Sequence, residues 1–163
     1  MPIDEEDFCA FYDRTARNLR AYLKSVLTSD PSLVDDILQE SYFRFLKADL
    51  PIGMESAWGK NYLYRIATNM VRGHWRSRKM EQLTEDRDVV APAKSLERVL
   101  DINDALGRLK PKERELLWLA YVECFSHEEI AGIIRARTIS IRPMLARARA
   151  RFAGLLRRRG YGA

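Results

Sequence analysis

The sequence predicts an all-α fold: two small helical domains joined by a flexible linker, the C-terminal one a helix-turn-helix. Three observations predict it. Apolar residues recur at spacings of three, four and seven from Phe8 to Met80, and again from Ser95 onward. No alternating run of strand length stands out. Between the two periodic stretches lies Met80 to Ala93, MEQLTEDRDVVAPA, which is acidic, contains a proline and has no sustained period. That composition marks a linker. The division is therefore a domain over 1–80, a linker over 81–94 and a second domain over 95–163. Hydrophobic residues make up 47% of the chain and charged residues 31%, which is too apolar for a disordered protein.

The first helix is expected from Phe8 to about Leu27, with Phe8, Phe11, Tyr12, Leu19, Tyr22, Leu23 and Val26 on its apolar stripe. Asp30-Pro31-Ser32 starts the second, an acidic or hydroxyl cap with a proline in the first turn. Its apolar residues are Leu33, Ile37, Leu38, Phe43 and Leu46, and Leu50-Pro51-Ile52-Gly53 breaks it. The third runs from about Ser56 to Lys79 through Trp58, Tyr62, Leu63, Ile66, Ala67, Met70 and Val71 to a basic end. After the linker, Leu96, Val99, Leu100, Ile102, Ala105, Leu106 and Leu109 form one stripe. Pro111 restarts the chain as a first-turn proline, followed by Leu116, Leu117, Leu119, Ala120 and Val122.

Charge narrows the partners. The net charge is +5, and its distribution says more than its size: after Glu129 there is no acidic residue, while nine arginines run from Arg135 to Arg159. A one-sided basic tail suits phosphate. The two cysteines, Cys9 and Cys124, are 115 positions apart and the two histidines, His74 and His127, are isolated, so no metal cluster is expected. Both cysteines read as small, partly buried residues in a reducing cytosol. The start, MPIDEEDF, is no signal peptide, and no apolar run approaches the roughly 20 residues of a membrane span. The expectation is a cytoplasmic protein without cofactor, metal or membrane insertion.

Phe125-Ser126-His127-Glu128-Glu129-Ile130-Ala131 is the most informative local string. Ser126 with Glu129 three residues on makes a capping box. The helix it opens, Glu128 to about Arg135, turns Ile130, Ala131, Ile133 and Ile134 inward; after a turn of about four residues Ser140 caps a second helix carrying Arg142, Arg147, Arg149 and Arg151. Short helix, tight turn and basic second helix make a helix-turn-helix. These residues, with Leu109-Lys110-Pro111-Lys112-Glu113-Arg114-Glu115 before them and Leu145-Ala146-Arg147-Ala148-Arg149 after, resemble the promoter −35 binding domain of extracytoplasmic-function (ECF) sigma factors of the sigma-70 family. The resemblance implies that the helix from Ser140 enters the major groove and that Ser140, Arg142, Arg147, Arg149 and Arg151 contact −35 DNA. Three positions depart from the family pattern. Arg135 stands where the turn glycine is usual, Ile139 replaces a second glycine, and Pro143 sits in the first turn of the recognition helix.

The N-terminal half carries two further strings. Asp35-Asp36-Ile37-Leu38-Gln39-Glu40-Ser41-Tyr42-Phe43-Arg44-Phe45 puts Asp36, Gln39, Glu40 and Phe43 on one helix face. It resembles the family's docking helix, which implies that this face binds core RNA polymerase at the β′ coiled coil of the largest subunit. Tyr62-Leu63-Tyr64-Arg65-Ile66-Ala67-Thr68-Asn69, ending in Arg76-Ser77-Arg78-Lys79, resembles the family's −10 element helix. Aromatics stack on exposed bases and basic side chains bind phosphate, so Trp58, Tyr62, Asn69, Arg76 and Arg78 are the −10 DNA candidates. Tyr62 stands where tryptophan is usual, and Gly73 replaces an aspartate. The loop from Pro51 to Trp58 takes the place of the family's base-capturing loop.

The resemblance spans Phe8 to about Phe152 and implies a factor that directs promoter-specific initiation, with promoter DNA and core polymerase as partners and an anti-sigma factor as a common family regulator. The alternative is a helix-turn-helix regulator acting without polymerase docking. An enzyme is disfavoured, because no nucleophile with a base, no acid cluster free of a docking explanation and no phosphate-cradling glycine loop is present.

Overall fold

Three helices build the first half: α1 (Glu5–Val26), α2 (Leu33–Lys47) and α3 (Ala57–Gln82). The computed structural model describes residues 4–28, 30–48, 57–82 and 104–158. The Pro51–Ser56 loop, linker residues 83–94 and the Leu96 to Ile102 stripe lie outside the described residues. Glu5, Glu6 and Asp7 occupy the first turn of α1, where the helix dipole favours negative charge. The predicted stripe is buried at Phe11, Leu19, Tyr22, Leu23 and Val26, and it meets Ile37, Leu38, Tyr42 and Phe45 of α2 and Leu63, Tyr64, Ala67 and Val71 of α3. Phe11 stacks on Phe45 with ring centroids 4.7 Å apart.

The hydroxyls that enter this core find partners. Thr15 Oγ1 donates to the Phe11 carbonyl at 2.7 Å and lies 2.6 Å from the Tyr42 hydroxyl. Burial pushes the Tyr42 phenol up to about 12, against the opposing pull of the Thr15 hydrogen bond. Tyr22 and Thr68 pair at 2.8 Å between α1 and α3. These bonds remove the cost of burying a polar group unpaired.

The start of α2 differs from expectation. Ser32, the N-cap residue, makes no side-chain cap. The chain enters α2 through a tight turn in which the Leu33 amide donates to the Asp30 carbonyl at 3.1 Å. That leaves the Asp30 side chain free to cross to α3. There Arg78 donates to it at 3.1 Å, and His74 Nε2 lies 3.1 Å away, within ion-pair reach.

In the second half, residues 104–108 are helical, followed by α4 (Pro111–Leu117), a π-helical extension (Trp118–Val122), α5 (His127–Ile134) and α6 (Thr138–Arg157). Pro111 occupies the first turn as expected, and the Glu113 carboxylate accepts the Lys110 amide at 3.0 Å. Leu116, Leu117 and Leu119 are buried, but Val122, expected inward, is exposed. The π winding is the reason: each bond spans one residue more than in an α-helix, so the apolar stripe rotates out of register after Leu119. The segment closes on Cys124, whose φ of 57° lies in the left-handed region. Both cysteines are exposed, contrary to expectation: Cys9 sits on the outer face of α1 and Cys124 on this turn.

The halves pack together, α1 against α4 and α3 against α5, and a single buried cluster runs from α1 to α6. Tyr64 of α3 lies at its centre, its ring 5.4 Å from Tyr22 and 5.3 Å from Phe125.

Candidate functional site

The helix-turn-helix forms as its sequence implies. Ser126 Oγ accepts the Glu129 amide at 3.1 Å, and the Glu129 carboxylate accepts the Ser126 amide at 3.1 Å. Ile130, Ala131, Ile133 and Ile134 face inward. The turn is three residues, Arg135 to Arg137. Arg135 takes the left-handed conformation at φ 57°, and its amide and that of Ala136 both bond to the Ala131 carbonyl. The usual glycine is thus replaced by a residue whose Cβ must bear that strain.

The second helix begins earlier than the sequence suggested. Arg137 is its N-cap residue and Thr138 its first position, so Ser140 is not the cap but lies within the first turn, half-buried. The left-handed Arg135 ends α5 so abruptly that α6 starts before the hydroxyl is reached. Pro143 consequently falls in the second turn rather than the first, where it withholds the ladder bond to the Ile139 carbonyl. Ile141, Leu145 and Ala148 anchor α6. Arg142, Arg147, Arg149 and Arg151 are all exposed. Arg149 donates to the Tyr121 hydroxyl at 2.8 Å, and Arg151 lies 3.4 Å from Glu113. The sequence reading named neither tie, because both partners come from the α4 region.

On α2, Asp36, Gln39, Glu40 and Phe43 are exposed together while Ile37, Leu38 and Phe45 point into the core. Glu40 accepts from Arg44 at 2.9 Å, and the Lys47 ammonium sits 4.3 Å from the Phe43 ring centre. The result is an acidic face with a half-exposed aromatic at its edge.

On α3, Trp58 and Tyr62 stack with centroids 5.4 Å apart and planes 9° from parallel. Trp58 is 41% exposed and lies at the surface, while Tyr62 is half-buried and packs against the core, its ring 6.2 Å from that of Phe45. Asn69 is half-buried and Arg76 exposed; Arg78 is held by Asp30. Trp75 packs partly against the core, with Ile66 and Met70.

Another face of α3 meets the second half through a polar cluster that the sequence did not reveal. Arg72 binds Glu115, which is fully buried. Glu123 accepts from Tyr64 at 2.6 Å and pairs with Lys60 at 3.0 Å. Arg114 donates to Thr28 at 2.8 Å. Burial drives the Glu115 carboxyl above the usual range against the pull of Arg72 and Lys112, and its Oε2 has no hydrogen-bond partner among the described residues. Burial and the Glu123 carboxylate push the Tyr64 phenol far up. Among the described residues no group of His, Cys, Asp or Glu is placed to hold a metal, and no helix is long and apolar enough to cross a membrane.

The sequence family described as sigma-70, region 4 matches residues 100–152, the stretch that holds α4, α5 and most of α6. No curated protein is similar enough in sequence to match. Among solved structures, the chain is similar to the sigma factor RpoE of Bartonella quintana, solved in complex with the anti-sigma factor NepR. The two are 25% identical, with a TM-score of 0.74 over 93% of this chain and 98% of that one.

Proposed function

We propose that the chain is a sigma factor of the sigma-70 family, in its ECF class, and that its surfaces divide the work of promoter-directed initiation. The domains are residues 1–80 and 95–163, joined by an acidic linker over 81–94 whose first two positions, Glu81 and Gln82, still belong to α3. The α2 face of Asp36, Gln39, Glu40 and Phe43 docks on the β′ coiled coil of core polymerase. Trp58, Tyr62, Asn69, Arg76 and Arg78 engage the −10 element, with the stacked Trp58–Tyr62 pair as the platform for an unpaired base. Ser140, Arg142, Arg147, Arg149 and Arg151 meet the −35 duplex. The chain makes and breaks no covalent bond itself; it works in the cytoplasm as the recognition subunit of the polymerase. As with the Bartonella quintana protein, an anti-sigma factor is the natural regulator.

One observation carries this reading best: a helix-turn-helix whose second helix exposes five arginines, Arg157 among them, in the same chain as an exposed acidic helix face. A regulator without polymerase docking has no use for the second feature.

The −35 assignment is testable by separating base from phosphate contacts. Arg142 lies near the front of α6 and Arg151 three turns into it. Arg142→Ala should change sequence preference, because a bidentate arginine–guanine contact contributes roughly 1–3 kcal/mol at one base pair. Arg151→Ala should weaken all duplexes alike and flatten the salt dependence by about one unit. Binding of each variant to the preferred −35 duplex and its single-base variants, over a salt range, decides. A uniform loss for Arg142→Ala would show that the helix docks differently.

A further inference from the structure

Between the π-helical segment and α6 lies a cavity of about 270 Å³. Its polar lining is Tyr121, His127, Arg142 and Arg149, and its apolar lining includes Phe125 and Leu145. Among the described residues no carboxylate lines it. Resting on the −35 reading above, we propose that this cavity seats one backbone phosphate of the duplex, and that Tyr121 and His127 belong to the DNA interface. Neither residue is on the recognition helix.

The geometry argues this in three steps. Arg142, Leu145 and Arg149 are spaced by three and four, so one side of α6 faces the hollow; Arg142 is kept for the base edges, and Arg149 is the cation that meets the phosphate. Of the two cations, Arg149 is fixed: the Tyr121 hydroxyl accepts from its Nη1 at 2.8 Å. Tyr121 stands outside the core, 54% exposed, on the π-helical segment. A guanidinium held by a neutral hydroxyl keeps its charge unspent and its remaining N–H groups available to an anion. His127 opens α5 at its first helical position, beside the amides freed at that end, and its ring lines the same cavity. The apolar patch of Phe125 and Leu145 suits the C–H edge of the deoxyribose attached to the phosphate. Charge complementarity selects the occupant. The chain from Ile130 onward contains no acid, and the anion presented to a helix-turn-helix at this position is the DNA backbone.

Tyr121 is then a positioning residue acting through Arg149, and the test must separate that from a fold defect. Full-length protein is titrated with the preferred −35 duplex and with a scrambled duplex, over a salt range. Arg149→Ala should weaken both duplexes and lower the salt slope by about one unit. Tyr121→Phe should weaken both about two- to tenfold, the scale of one charge-assisted hydrogen bond, and should have no further effect when added to Arg149→Ala. His127→Ala should act like Tyr121→Phe but add to Arg149→Ala. Thermal melting of each variant should match the parent. If the parent binds neither duplex, the −35 reading itself fails. If the parent binds and Tyr121→Phe and His127→Ala leave affinity and salt slope unchanged, the phosphate seat is overturned. Loss of binding to polyglutamate with DNA binding intact also overturns it, in favour of an acidic peptide as the occupant.

Discussion

Single residues carry the departures from the family pattern, and their costs are readable. Arg135 holds φ 57° and ψ 45° at the end of α5, a conformation that costs a residue with a Cβ roughly 1–2 kcal/mol. Arg135→Gly is therefore expected to raise the melting temperature by several degrees. A melt that falls, or does not move, would show that the Arg135 side chain supplies a compensating contact. Gly73 is different: a Cβ there would meet only the Arg76 guanidinium, at 4.0 Å, so the missing aspartate leaves room rather than strain. What the sequence revealed at this scale was chemical identity, not pairing. Ser126 and Glu129 were legible as a capping box because both partners lie within one turn. Arg78 with Asp30, Arg149 with Tyr121 and Arg151 with Glu113 were not legible, since each joins elements far apart in the chain.

Elements were legible wherever a helical period persisted. α1, α2 and α3 sit within a few residues of their expected bounds, and α5 within one or two. The errors arose where a local device overrode the period. The left-handed Arg135 shortened the turn and moved the start of α6 ahead of Ser140, which also moved Pro143 into the second turn. The π winding after Leu117 carried Val122 outward although its apolar spacing placed it inside. On α2 the period held, and the face it left outside is acidic. Asp36→Arg combined with Glu40→Arg reverses that face without touching Ile37, Leu38 or Phe45, so helicity and melting should persist. Co-elution with core polymerase should be lost, and unchanged co-elution would remove α2 as the docking element.

The least legible feature belongs to the whole molecule: the packing of its halves. The acidic linker composition suggested domains free to reorient, yet α3 lies against α5 and α1 against α4. Nothing in either half's periodicity announces Arg72 with Glu115 or Tyr64 and Lys60 with Glu123, because each polar residue reads locally as an ordinary helix-surface charge. Burying Glu115 costs more than Arg72 and Lys112 return, so the pair fixes how the halves register rather than how tightly they hold. Glu115 also makes the packing sensitive to pH. Arg72 and Lys112 favour its charged form, but burial outweighs them and its carboxyl titrates above the ordinary glutamate range. A group raised in the packed form stabilises it fully below the unpacked value and loses that contribution as pH rises through the packed value. The packed form should therefore tighten on acidification, as read by energy transfer between dyes on the exposed Cys9 and Cys124. Glu115→Gln should lose that pH dependence; a variant that retains it would assign the titration elsewhere.

Whether this chain confers promoter choice on a polymerase is read out by in-vitro transcription. Purified core polymerase is supplied with a library of promoter duplexes, with and without the chain. Discrete transcripts that require both proteins and share a −35 and a −10 element are expected, and they should disappear with the Asp36→Arg, Glu40→Arg variant. Duplex binding by the chain without any transcript that depends on it would contradict the claim, and would leave a helix-turn-helix regulator in its place.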